Sequence, residues 1–305
     1  MARIDSLANF LEDVATKIRS KTGSQSTITP ANYDTEIEKI VFKPGKGFLF
    51  CTDGSPMNPS DTTTTSLNLK NIDTSDMKSL LGMFRGMKAL TSLDLSDFDT
   101  HNVTNMQYMF RSCEALTNIT FGDDFSTENV QNMSIMFQNC YALTSLDLSN
   151  WGSNKNISLD STFQSCYALT NITFGDDFNT NYTTNMTSVF GYCKSLEELD
   201  LSNWNTNIVT KFNASFRDCI KLTSITFGNN FSLSSATNLQ NMFTNSTKLD
   251  NNTLNQILYL CTTATSYTGT KTLAYLGIDS SFDNYANIPN LSNYQAFLNA
   301  GWTIS

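Results

Sequence analysis

The chain has 305 residues, with 19 Lys and Arg against 28 Asp and Glu, and a net charge of −9 at neutral pH. So acidic a chain has no phosphate-binding surface to offer, which argues against a nucleic-acid partner. Charged residues make up only 15% of the sequence, so its surface has to be Asn, Ser and Thr, a composition that suits a glycan or a wet protein interface and equally any soluble β-rich solenoid.

Ile4, Leu7, Ala8, Leu11, Val14, Ala15 and Ile18 fall on one helical stripe, and Lys21, Thr22 and Gly23 end it. A second helix starts where Thr29 caps and Pro30 takes the first helical position. Tyr33, Ile37 and Ile40 give it an apolar side. Residues 1–40 therefore read as a small helical hairpin, too short to bury a core alone. It needs a partner: the solenoid below, a second copy of the chain, or a larger assembly. The docking or oligomerisation side chains are Ile4, Leu7, Leu11, Val14, Ile18, Tyr33 and Ile37. The opening residues carry charges throughout and lack the apolar core of a secretion signal. No run approaches the ~18 apolar residues of a membrane span, so no membrane insertion is expected.

The stretch LEDVATKIRSKTGSQSTITPANYDTEI, from Leu11 to Ile37, resembles a segment near the N-termini of tail-associated virion proteins of phages of Gram-positive bacteria. The match is carried by Ile18, Arg19, Lys21, Thr22, Gly23, Ile28, Pro30, Ala31, Asn32, Glu36 and Ile37. The resemblance implies attachment to other virion proteins through residues 1–40, and it implies no chemistry. Residues 41–65 hold Pro44, Pro56 and Pro59 with Gly45, Gly47 and Gly54. They read as a linker in which Phe48, Leu49 and Phe50 form a capping strand. Thr62 to Thr65 lead into the first coil.

From residue 66 to Leu249 one unit repeats. Its anchor is Phe84, Phe110, Phe137, Phe163, Phe190, Phe216 and Phe243, at steps alternating between 26 and 27 residues. A period of that length held over seven copies means a solenoid. Six residues after each anchor stands Leu, and three after it stands a thiol column of Cys113, Cys140, Cys166, Cys193 and Cys219, with Met87 and Ser246 at the ends. Twelve before it runs an aromatic column of Phe98, Phe125, Trp151, Phe178, Trp204 and Phe231. The piece M-x-x-M-F-x-x-C reads as a short helix or tight helical turn, and L-x-x-L-x-L as a strand. Successive strands then pair in parallel down the stack. Coils reading L-D-L-S alternate with coils reading I-T-F-G, so the true unit is a pair of coils. Inward Leu95, Leu148 and Leu201 alternate with Phe121, Phe174 and Phe227. Outward aspartates are separated by Thr, which keeps stacked carboxylates apart. The extra residue of the longer step is expected at Asp123-Asp124, Asp176-Asp177 and Asn229-Asn230.

The pattern N-M-x-x-M-F-x-x-C-x-x-L-T-x-L-D-L-S resembles the BspA-type leucine-rich repeat of bacterial and protist surface proteins. It implies an α/β solenoid, a right-handed leucine-rich-repeat stack of about seven coils with parallel strands. The Cys here precedes the strand, whereas the ladder of ordinary leucine-rich repeats follows it. Beyond Leu249 the period stops. Leu254, Ile257, Leu258 and Leu260 predict a helix, and Leu291 to Trp302 a second one ended by Gly301. Residues 250–305 are expected to cap the stack.

Chemistry is sparse. Seven Cys with five in register read as reduced buried thiols and not as a disulfide framework. The acidic turns supply two carboxylates per coil and the third copy is Asn229-Asn230, so plain turn residues are favoured over calcium ligands. His101, the one histidine, reads as a solvated turn residue beside Asp99. No nucleophile elbow, phosphate loop or zinc pattern appears, so no catalytic residue, metal or cofactor is assigned. The candidate binding surface is the outward strand face: Ser92 and Asp94, Asn118 and Thr120, Ser145 and Asp147, Asn171 and Thr173, Glu198 and Asp200, Ser224 and Thr226. The turns around Trp151 and Trp204 are its rivals. Together these readings predict a non-enzymatic virion protein of a phage tail, baseplate or fibre, made in the host cytoplasm, that binds a host-surface glycan or protein. A bacterial BspA-like adhesin or interaction module, or a capsid-decorating protein, is the alternative.

Overall fold

The computed structural model describes residues 62–67, 69–70, 74–152, 158–178 and 180–304. The helical hairpin expected over residues 1–40, its seven docking side chains and the capping strand expected at Phe48–Phe50 lie outside the described residues. Within the described residues the repeat forms six short strands, one fewer than the seven coils expected, because the chain turns helical after the seventh anchor, Phe243. They are β1 (Ser92–Leu95), β2 (Asn118–Phe121), β3 (Ser145–Leu148), β4 (Asn171–Phe174), β5 (Glu198–Leu201) and β6 (Ser224–Phe227). All pairing is parallel, which makes the chain a parallel-strand solenoid of the leucine-rich-repeat class.

The core is a set of ladders. The seven anchor rings stack face to face, with centroids 5.6, 5.1, 5.7, 5.3, 5.8 and 5.3 Å apart in chain order. Each thiol in the Cys column reaches back one coil to the carbonyl of the preceding anchor. Cys113 Sγ donates to Phe84 O at 3.0 Å and Cys140 Sγ to Phe110 O at 3.1 Å, and Cys166, Cys193 and Cys219 follow the same rule. Ser246 continues it with its hydroxyl to Phe216 O. A further column, unmarked in the sequence reading, is Thr74, Thr100, Thr127, Thr180 and Thr206. Each is buried and donates its hydroxyl to a backbone carbonyl of the next coil.

The anchor segment takes the tight-turn form of the two the sequence allows. Residues two before and two after each anchor have positive φ, as at Tyr108 (61°) and Ser112 (60°), or Ile135 (63°) and Asn139 (64°). Alternate N–H groups donate to the next coil: Met106 to Asn132 O, Tyr108 to Ser134 O, Phe110 to Met136 O and Ser112 to Gln138 O. A helix would satisfy those donors within its own turn. Here the neighbouring coil satisfies them, so the stack and not local propensity sets the conformation.

Two expectations need correction. The strands do not form a continuous sheet. They pair two by two, β1 with β2, β3 with β4 and β5 with β6. The two-coil unit read from the sequence is thus a pairing unit. Its cause lies at the even strands. In an odd coil the turn closes from the last strand residue, Phe98 N to Leu95 O. In an even coil it closes one residue later, Phe125 N to Gly122 O, with Phe178 to Gly175 and Phe231 to Gly228 alike. The extra residue is therefore the glycine after the strand and not one of the acidic pair. Beyond it, Phe121 and Trp151 wedge edge to face between β2 and β3 at 5.1 Å, as do Phe174 and Trp204 between β4 and β5 at 5.2 Å. Where the strands part, the anchor rings draw closer: 5.1 and 5.3 Å, against 5.6 to 5.8 Å inside a pair.

After Leu249 the chain turns helical, as the apolar spacing predicted. Asp250 caps helix α1 (Asn251–Thr263) by accepting from Thr253 N at 2.7 Å. Helices α2 (Leu273–Leu276) and α3 (Tyr294–Asn299) flank a 3-10 turn at Tyr285–Asn290. Gly301, at φ +83°, ends the last of them. No helix among the described residues is long and apolar enough to cross a membrane.

Candidate binding face and inter-unit clefts

A strand sends alternate side chains to opposite faces. In β1, Leu93 and Leu95 enter the core while Ser92 and Asp94 face out, and the other strands repeat this. All twelve candidate residues lie on the outward side. Eleven are exposed and Ser224 is half-buried. The parallel register sets Ser92 beside Asn118 and Asp94 beside Thr120, Ser145 beside Asn171 and Asp147 beside Thr173, and Glu198 beside Ser224 and Asp200 beside Thr226. Each aspartate thus has a Thr neighbour within its pair. The aspartates are also tied to their own turns: the N–H groups of Ser96, Ser149 and Ser202 donate to Asp94, Asp147 and Asp200 at 3.0, 3.0 and 2.8 Å. Hydrogen bonds from the Ser96 hydroxyl and N–H hold the Asp94 carboxyl below the usual range, and Ser149 does the same for Asp147. The Asp94 and Asp147 carboxylates are thereby kept ionised, and the turn bonds hold all three in fixed orientation.

The rival turns are resolved differently. Trp151 and Trp204 are each only 1% exposed, so neither indole is a surface contact. Both indole Nε1 atoms are nevertheless buried without a hydrogen-bond acceptor in the protein. Trp151 is among the residues lining a cavity of about 210 Å³ between β2 and β3. Residues Ile119–Gly122 wall it on one side, and Asp147 with Ser149–Trp151 on the other. The same residue types recur in the sequence one pairing unit later, as Ile172–Gly175 with Asp200 and Ser202–Trp204, and there Phe174 again meets Trp204 edge to face. In the sequence, Thr120, Phe121, Asp147 and Trp151 fall in separate columns. The signal that joins them is the longer step, which marks where pairing breaks.

The other candidates are structural. The thiols of the Cys column are buried, and loss of hydration pushes Cys113, Cys166 and Cys219 up to about 12 and Cys140 and Cys193 well above their ordinary value. Such thiols are inert at neutral pH. His101 is exposed, and its Nδ1 lies 2.9 Å from Asp99 Oδ1. Among the described residues no three His, Cys, Asp or Glu side chains converge as a metal-binding group.

The fold and the outward polar face define a leucine-rich-repeat solenoid with a potential binding surface along its strands. The chain matches the family described as "Mycoplasma protein of unknown function, DUF285" over residues 56–174 and 158–259, and it belongs to that family. Several solved structures are similar, and two of them are leucine-rich repeat proteins. One is a leucine-rich repeat protein from Bacteroides ovatus ATCC 8483, at 21% identity and a TM-score of 0.27, covering 54% of this chain and 49% of that one. This chain thus spans about half that protein's length. The other is the T. pallidum leucine-rich repeat protein TpLRR, at 16% identity and a TM-score of 0.35, covering 77% of this chain and 96% of that one. No curated protein matches the chain.

Proposed function

We propose that the chain is a non-enzymatic binding module whose solenoid adheres to a cell surface through its outward strand face. The observation that carries this reading is the face itself. Twelve polar side chains, eleven of them short, stand on six consecutive coils, in register within each strand pair and with backbone-anchored carboxylates among them. Short polar residues lose little side-chain entropy when a partner binds, and a repeated row multiplies weak contacts. The finer reading takes residues 1–40 as the attachment to a phage tail, baseplate or fibre and the solenoid as the host-binding part. What supports it is the stretch from Leu11 to Ile37 and its resemblance to tail-associated virion proteins. A second reading, a surface adhesin of a bacterial cell, is favoured by the family description, which speaks of a Mycoplasma protein of unknown function.

Two measurements decide between them. The full chain, fluorescently labelled, is expected to bind Gram-positive host cells, and charge-neutral substitution of Asp94, Asp147 and Asp200 together is expected to weaken that binding. Absence of binding to every candidate host would sink the adhesion reading. Immunogold labelling is expected on tails of purified particles under the virion reading and on the cell envelope under the second.

A further inference from the structure

We infer that the two clefts between pairing units, β2/β3 and β4/β5, are paired subsites for one neutral, linear oligosaccharide. This rests on the strand face being the binding surface and names its ligand class. Three observations carry it. First, the parting of the strands is built in: the glycine-extended turn and the wedged rings recur at both places, at equivalent positions. Second, the chemistry is that of sugar recognition. Each cleft offers a fixed carboxylate (Asp147, Asp200), a hydroxyl (Thr120, Thr173) and an amide (Asn150, Asn203) beside the partly exposed apolar surface of Phe121 or Phe174. Carboxylate and amide accept and donate to vicinal hydroxyls, and the apolar patch receives the C–H face of a ring. In the second cleft Asn203 is oriented by Asp176, to which its amide donates at 3.0 Å. Third, the indole bordering each cleft, Trp151 or Trp204, holds a buried Nε1 donor without an acceptor in the protein. An unpartnered buried N–H is costly and rare, and a hydroxyl oxygen or a water that it carries supplies the acceptor.

Charge selects within the sugars. A carboxylate in each cleft and a net charge of −9 repel polyanionic glycans. Spacing selects shape. The clefts stand two coils apart, roughly 10 Å at ~4.8 Å per coil, about the rise of two linked pyranose rings in an extended chain. One oligosaccharide lying along the stack reaches both, and linkage makes the second contact intramolecular. The flanking units lack the pair: Phe98 stands where the Trp would be before β2, and helix α1 covers β6.

The test uses the full chain with cellohexaose and chitohexaose as probes, the matching disaccharides, and polyphosphate as a polyanion. Binding is read by calorimetry and by tryptophan fluorescence. Expected are hexaose binding with a fluorescence change, at least tenfold weaker disaccharide binding, and no polyphosphate binding. Asp147→Asn retains an acceptor for Ser149 N–H and Asp200→Asn one for Ser202, so both preserve the fold. The double variant is expected to lose hexaose affinity at least tenfold, and Asp283→Asn, which changes an exposed carboxylate of the C-terminal cap, to leave it unchanged. Hexaose binding that survives the double variant overturns the clefts as the site. Cell binding without binding of either hexaose overturns the glycan and leaves the strand-face reading standing. Loss of cell binding altogether overturns both.

Discussion

At the residue scale the unusual feature is the number of left-handed side chains. Among the described residues twelve non-glycine residues have positive φ, all two before or two after an anchor Phe. Ser and Asn fill many of these sites and tolerate them, but Ile135 is β-branched at φ 63°. Its strain is held by the inter-coil bond from Ile135 N to Asp160 O. Ile135→Asn is therefore expected to stabilise the chain by about 1 kcal/mol, or about 2–4 °C in Tm, read by calorimetry. The thiols give a second prediction. Burial keeps them protonated to about 12 in the folded chain, against 9.0 for an ordinary thiol. Below pH 9 both states hold the proton and the thiols leave stability untouched. Above it the unfolded chain ionises first, so stability falls as pH rises towards 12. Each thiol contributes a slope of up to about 1.4 kcal/mol per pH unit. Alkaline unfolding is expected to begin near pH 9 and to be cooperative. At pH 8 the six described thiols should resist alkylation in the native chain, with mass spectrometry as the check.

At the element scale the glycine after each even strand decides how coils associate. A Cβ on Gly122, Gly175 or Gly228 would fall 1.9, 1.8 or 1.8 Å from the carbonyl oxygen of Ser96, Ser149 or Ser202. Backbone on both sides leaves nothing to yield. Gly175→Ala should therefore cost well over the ~1 kcal/mol of a typical substitution and break the β3–β4 pair, seen as lost hydrogen-exchange protection at Ile172 and Phe174. The same glycine explains what could be read in advance. The alternation of 26 and 27, the inward Leu and Phe and the outward Asp and Thr were all visible in the columns, because each is a side-chain pattern. The broken sheet was not, because it depends on which backbone atom closes a turn. Parallel pairing at every coil was the natural expectation, and only the shift of the closing carbonyl from Leu95 to Gly122 shows why it fails. Likewise the Cys column could be assigned to the core from type and register. Its hydrogen bond to the preceding anchor carbonyl required the fold.

At the scale of the whole molecule the stack is one-dimensional, and each coil contacts only its neighbours. Its stability thus depends on how the ends are closed. At the C-terminal end β6 has no following strand to accept its N–H groups. Helix α1 supplies substitutes from its side chains: Ile225 N donates to Thr253 Oγ1 at 3.1 Å and Phe227 N to Gln256 Oε1 at 3.3 Å. The same helix lays Leu254, Ile257 and Leu258 on the last coil. An uncovered strand edge would otherwise invite pairing with another chain. Thr253→Val with Gln256→Leu retains the helix and its apolar face but removes both acceptors. Two stranded buried donors are expected to cost about 1–3 kcal/mol each. Because coupling runs only between neighbours, the damage should stay local. Hydrogen exchange at Ile225 and Phe227 should rise by orders of magnitude, while β1 and β2 keep their protection. If β1 loosened as much as β6, the solenoid would unfold as a single cooperative unit and neighbour-limited coupling would be wrong. With β6 frayed, the clefts at β2/β3 and β4/β5 remain intact, so sugar affinity should survive this variant even as its thermal stability falls.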